Sequence, residues 1–302
     1  SSVLDQSARE AFVPELRELK SALLAAANTS DGQGRFLFGG TRDDSTPFVV
    51  VNGVVQYNGD QSQRRIEVAP GVSLADADPG SELFLRIRAG NGVAQTRPEP
   101  GNAGTAVLKS DGFRNQALWD GGTYRIEFNA GNYQVLDGGG APLVPPVAGP
   151  FVSGEAISFA GYQVTLEGEP ADGDAFVVQP AEAIDAFAII DRLTAAALAP
   201  DTPAAARAER QNAFYAVLQD LEQAGAHLID ARAGVGARLS ALDRAADERE
   251  GALLTTRSTL SQLRDLDYAE AISRLSRQSA VLEAAQATFT RVQSLSLFSF
   301  LR

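Results

Sequence analysis

The 302 residues contain no cysteine and no methionine, and only one histidine and one tryptophan. Without cysteine there are no disulfide staples, no thiol nucleophile and no cysteine–zinc site, a composition that suits an exported protein with no need of oxidative folding. Lysine is nearly absent too. Of 26 basic residues only Lys20 and Lys109 are lysines, against 38 acids, and the net charge is −12. That balance argues against nucleic acid and anionic lipid as partners. No apolar run approaches the roughly 20 residues of a membrane helix, and no signal peptide is visible. The missing initial methionine reads as a partial or processed chain.

What is present is enough for a sizeable core in two or three domains: 44% of the residues are hydrophobic. Residues 5–29 read as a helix. Ser7 and Glu10 resemble a capping box, Pro14 marks an irregular lead-in, and Phe12, Leu16, Leu19, Leu23 and Ala26 form one apolar stripe. From Arg35 to about Pro180 glycine and proline are frequent and the apolar runs are short. Strands are predicted at 36–38, 48–51, 54–57, 65–68, 83–87, 123–128, 133–136, 156–159, 162–166 and 175–178. Asn52-Gly53 and Asn58-Gly59 read as hairpin turns, and Gly138 to Pro150 as a flexible loop. The similarity of Gly80–Phe84 to Gly173–Phe176 hints at a duplicated β unit.

Beyond Pro180 the helical pattern returns, first over 182–198. Thr202 and Pro203 then open a proline-free stretch. Val235, Leu239, Leu242, Ala246, Arg249, Leu253, Thr256, Leu260 and Leu263 alternate in steps of four and three, a coiled-coil seam with two polar interruptions. A single helix over 204–264 spans roughly 90 Å at about 1.5 Å per residue. Asp267 is placed to cap a last helix, in which Tyr268, Leu275, Leu282 and Phe289 recur every seven residues, with Ile272 on the same face. From Gln278 to Leu301 only Glu283 and Arg291 are charged. A helix apolar on several sides must be buried somewhere, so this end is predicted to meet other chains. The predicted assembly residues are Leu275, Leu282, Phe289, Val292, Leu295, Leu297, Phe298, Phe300 and Leu301. Leu16, Leu19, Leu23, Val235, Leu239, Leu242, Leu253, Leu260 and Leu263 are predicted to pack the helical core.

The fold class predicted is α+β: a long-helix, coiled-coil-like rod formed by the chain ends, with an inserted antiparallel β domain. Residues 1–40 and 181–264 make the helical core, 41–180 the insertion and 265–302 an axial assembly helix.

Several of these stretches resemble stretches of the flagellin superfamily. Leu23-Leu24-Ala25-Ala26-Ala27-Asn28-Thr29, Asp31-Gly32 and Arg35-Phe36-Leu37-Phe38-Gly39-Gly40-Thr41 resemble the hand-over from that family's helical core to its variable domain. Pro47-Phe48, Tyr57-Asn58-Gly59-Asp60, Arg65-Ile66 and the run Tyr162 to Val178, with Gly168, Pro170-Ala171 and Gly173-Asp174-Ala175-Phe176, look like its hook-associated junction branch. Arg232 to Leu239, Asp267 to Ala271 and Leu295-Ser296-Leu297 resemble the shared C-terminal core. The family begins with two long N-terminal helices that pair with the C-terminal ones, and that stretch is missing here.

The resemblance implies an extracellular subunit of the bacterial flagellum, exported by the flagellar type III route without a cleaved signal peptide. A chaperone would ride on its C-terminal helix. Its partners would be other copies of itself in a ring, the adjoining hook-associated protein and flagellin. Filament flagellin is the alternative within the family; a surface carbohydrate-binding protein or glycosidase is the alternative outside it.

No catalytic, metal or cofactor site is predicted. His227 lies in a helical stretch and reads as a packing or surface residue. Asp43-Asp44, Asp172 and Asp174 read as turn-solvating acids rather than a glycosidase pair or calcium site. Gly138–Gly140 lacks the setting of a phosphate loop. Asp247, Glu248, Arg249 and Glu250 read as a solvated helix face.

Overall fold

The computed structural model describes residues 6–264 and 267–294. Two short helices come first, α1 (Gln6–Ala11) and α2 (Val13–Ala27). They part at Phe12 because Pro14 needs the first turn of a helix, where a missing N–H leaves nothing unbonded. Ser7 therefore lies inside α1 rather than at a cap. Next come the hairpins β1 (Phe48–Val51) with β2 (Val54–Tyr57) and β3 (Arg65–Ala69) with β4 (Val72–Ala75). A five-residue helix, α3 (Gly80–Phe84), leads to β5 (Ile87–Arg88), β6 (Ala94–Pro98) and β7 (Val107–Phe113). The later strands are β8 (Tyr124–Asn129), β9 (Asn132–Asp137), β10 (Ala148–Pro150), β11 (Ala156–Phe159), β12 (Tyr162–Glu167), β13 (Ala175–Pro180) and β14 (Ala183–Ile184). Three helices follow: α4 (Ala186–Leu198), α5 (Ala204–Arg264) and α6 (Tyr268–Ser294). The class is α+β, with a long C-terminal helix and an antiparallel β domain.

The chain divides into two compact units, Ser1–Ser240 and Ala241–Arg302, and α5 contributes residues to both. In the first unit a five-stranded antiparallel sheet, ordered β10-β9-β8-β13-β6, faces a three-stranded one, β11-β12-β7. Alternation fills the space between them. Tyr124, Ile126 and Phe128 of β8 point inward, as do Phe176 and Val178 of β13, Ile157 and Phe159 of β11, and Tyr162, Val164 and Leu166 of β12. A register shift after Thr165 leaves Lys109 of β7 outside the pairing and restores the inward set. Trp119 packs on Phe113, Tyr124 and Tyr162, so it belongs to this core rather than to a sugar platform.

A second, aromatic core ties α2 to the β domain. Phe48 meets Phe84 and Phe187 at 5.4 and 5.6 Å between ring centroids, with Leu23, Leu24 and Phe38 around them. Gly80 is required there, since a Cβ would sit 2.6 Å from the Phe48 ring. The Asn28 side chain extends the join by acting as a peptide group: it donates to the Phe48 carbonyl (2.8 Å) and accepts from the Phe48 N–H (2.9 Å). Asn102 bonds Ala175 in the same way.

Six local expectations give way. Residues 83–87 are not a strand: Pro79 caps α3, which brings Phe84 into the aromatic core, and only Ile87 onward is extended. The duplicated β unit falls with it, because Gly80–Phe84 is helical whereas Gly173 precedes β13. Residues 36–38 form no strand; Phe36 makes one isolated bridge to Ser30 and Phe38 joins the aromatic core. Asn52-Gly53 turns the β1–β2 hairpin with positive φ at both residues, but Asn58-Gly59 folds back, the Asn58 N–H donating to Pro47 O. Part of the loop to Pro150 is ordered as β10, paired with β9. The helix expected over 182–198 starts later, with Asp185 accepting the Ala188 N–H as its cap.

Candidate assembly surface

α5 runs unbroken for 61 residues. Within the first unit it is held by Val217, buried with Ile87 and Ile189, and by a set of polar side chains. Asn212 mimics a strand, accepting from Leu108 N–H (2.7 Å) and donating to Ala106 O (3.1 Å). Tyr215 and Gln219 both donate to the Asp111 carboxylate. Asp220 is fully buried and accepts from Gly90 N–H (2.9 Å) and from Arg97 (2.9 and 3.1 Å). His227 Nε2 lies 2.9 Å from Glu82 O, and Arg238 forks onto Asp78, whose carboxyl its hydrogen bonds hold below the usual range.

The other side of the same helix is apolar and open. At about 100° per residue, Tyr215, Gln219 and Gln223 share one side while Leu221, Leu228 and Leu239 lie opposite. Leu218, Ile229 and Leu239 are 62, 69 and 56% exposed, and Val235 is exposed as well. Large apolar side chains thus face water as well as the core, where an amphipathic helix usually turns them inward. Beside it lies a groove of about 870 Å³ walled by Phe12, Leu16, Leu19, Leu193, Phe214 and Leu218. Leu16 and Leu19 thus border open space, and Leu23 packs on the aromatic core.

In the second unit Leu242, Leu253, Leu260 and Leu263 of α5 are exposed. Asp267 caps α6 through the N–H groups of Ala269 (2.9 Å) and Glu270 (3.1 Å). α6 has no buried residue, and Leu275, Leu282, Phe289 and Val292 are all exposed. Covering such a side chain is worth roughly 1.5–3 kcal/mol. Leu295, Leu297, Phe298, Phe300 and Leu301 lie outside the described residues.

The groups singled out for chemistry have structural employment. Asp174 is buried and fastens a loop through the N–H groups of Ala103, Gly104 and Ala171. Asp172 accepts from Ala130 N–H, and Asp43 pairs with Arg64. Asp247, Glu248, Arg249 and Glu250 are exposed on α5. Among the described residues no group of three His, Asp or Glu side chains is placed to hold a metal, and no helix is long and apolar enough to cross a membrane. The Asp111 cluster was not foreseen: Tyr215 and Gln219 stand one turn apart in the sequence, but nothing local points to Asp111 as their acceptor.

Residues 218–301 match the family model of the bacterial flagellin C-terminal helical region. The whole chain is 22% identical to flagellar hook-associated protein 3 of Salmonella typhimurium, covering 69% of it. The crystal structure of Xanthomonas campestris FlgL is 37% identical, covers 87% of this chain and 84% of its own, and superposes with a TM-score of 0.79. The flagellar hook-associated protein 3 structure from Legionella pneumophila is 28% identical, with the same coverage and a TM-score of 0.81.

Proposed function

Because the chain belongs to the family of flagellar hook-associated protein 3, we propose that it works by packing exposed apolar helix faces against neighbouring chains. It is a structural protein of the bacterial flagellum, at the junction of hook and filament. The observation that carries the mechanism is α6, a 27-residue helix with no buried residue and with leucine, phenylalanine and valine side chains in water. In this reading residues 1–40 and 181–264 are the helical core, 41–180 a β insertion turned outward, and 265–302 the axial assembly helix.

The neighbours are copies of the same chain in a ring, the adjoining hook-associated protein and flagellin. Export is by the flagellar type III route, with a chaperone on the C-terminal helix and no cleaved signal. The chain is not an enzyme, a reading supported by its structural relatives and by the structural bonds of His227, Asp172 and Asp174. A filament subunit is the neighbouring reading, since the matching family model is that of flagellin. The likeness over 87% of the chain to FlgL, β domain included, favours the junction. Deleting the gene separates the two: hooks should persist while flagellin is shed into the medium. Cells that still carry filaments, or that shed no flagellin, would contradict the junction reading.

A further inference from the structure

Three asparagines are followed by glycine: Asn52-Gly53, Asn58-Gly59 and Asn91-Gly92. Such a pair can react with itself, because glycine leaves its own amide nitrogen unshielded. That nitrogen gives up its proton and attacks the asparagine Cγ. The new N–Cγ bond closes a succinimide ring, the Cγ–Nδ2 bond breaks, and ammonia leaves with the proton. Ring closure requires an unbonded side-chain amide, an unbonded glycine N–H and a backbone free to turn.

The fold separates the three sites. Asn91 Oδ1 accepts the N–H groups of Val93 (3.1 Å) and Ala94 (2.9 Å), its Nδ2 donates to the Tyr162 hydroxyl (3.3 Å), and the Gly92 N–H donates to Ala89 O (3.1 Å). Both reacting groups are engaged there. At Asn58 the backbone is pinned. Its N–H donates to Pro47 O, its carbonyl accepts from Arg42, and the Asp60 N–H donates to Gly39 O. Gly59 is wedged so tightly that a Cβ on it would lie 2.4 Å from the Tyr57 hydroxyl.

Asn52 is different. Val51 and Val54 are the last pair of the β1–β2 ladder, so Asn52 and Gly53 stand beyond it, both exposed. A Cβ on Gly53 would meet nothing within 4 Å, and among the described residues nothing bonds the Asn52 side chain. The hairpin is a two-stranded sheet held at its base, where Phe48 enters the aromatic core. A lone pair of strands is marginally stable, so the tip frays at small cost into the backbone shapes that ring closure needs.

We propose that Asn52 is a site of spontaneous covalent modification, converted through a succinimide to aspartate and isoaspartate. Water opens the ring in two ways. Breaking Gly53 N from Cγ leaves aspartate, and breaking it from the backbone carbonyl carbon of residue 52 leaves isoaspartate. Each product adds a negative charge to the tip. Isoaspartate also adds a carbon to the main chain, which a two-residue turn cannot hold in the same register. Nothing in this chemistry depends on where the chain assembles, so its failure would leave the junction reading untouched.

The test needs no variant. The purified chain is kept in mildly alkaline buffer made with heavy-oxygen water, and peptide mass spectrometry follows residues 52, 58 and 91. Residue 52 should gain a carboxyl carrying the heavy isotope, with isoaspartate among the products. It should lead the other two sites by about tenfold or more, since their bonds must first be broken. In urea the three should fall within a few-fold of one another, because glycine follows each. An unchanged residue 52, residues 58 or 91 keeping pace with it in the folded chain, or the same lead persisting in urea would overturn the inference.

Discussion

Replacing Leu282 and Phe289 together by aspartate should abolish attachment of the filament to the hook while leaving the melting of the first unit where it was. Both side chains are exposed, 59 and 63%, and they stand seven residues apart on one side of α6. No residue of α6 is buried, so the change removes no internal contact that the described structure contains. In an assembled flagellum the same positions would put two unpaired carboxylates into an apolar seam. Each such burial costs several kcal/mol, and about 1.4 kcal/mol is a factor of ten in affinity. Electron microscopy of cells and flagellin measured in the medium give the readout. Normal filaments on cells producing the double variant would reject α6 as an assembly face.

Loss of Asp220 should be the most destabilising single change on α5, at about 3–5 kcal/mol for Asp220→Ala. The carboxylate is fully buried, and its removal takes a partner from Arg97, Arg192 and the Gly90 N–H. Urea unfolding should show a lower midpoint with an unchanged slope. Asp220→Leu combined with Arg97→Leu should recover much of the loss, because replacing a buried pair with apolar groups is often neutral while halving it is not. A double variant as unstable as Asp220→Ala would show that packing, not the stranded charge, accounts for the effect.

The elements that could be read from sequence are those whose signal lies within a few residues. The seven-residue spacing in α6, the Asp267 cap and the alternation of β8 and β12 each needed no knowledge of the rest of the chain. Much of what escaped depends on distant partners, although β4, which pairs with the adjacent β3, escaped too. β6 and β7 were missed because Gln95, Thr96, Lys109 and Asp111 give them a polar texture, and they are held by β13, β12 and α5. Residues 83–87 were read as a strand because Leu83 and Phe84, the end of α3, outweighed Pro79 and Gly80, and the fit of Gly80 under the Phe48 ring is a tertiary fact. The exposed apolar face of α5 was half visible. The apolar seam at Val235 and Leu239 was plain, but that the opposite side would be the one seated on the β domain follows only from Asp111, Asp78 and Ala106.

The most direct measurement is the accessibility of a single cysteine placed at Leu282, compared between the isolated chain and intact flagella. The account predicts fast labelling in the lone chain and strong protection once it is built into the hook–filament junction. Equal labelling in both states, or protection already present in the isolated monomer, would contradict it.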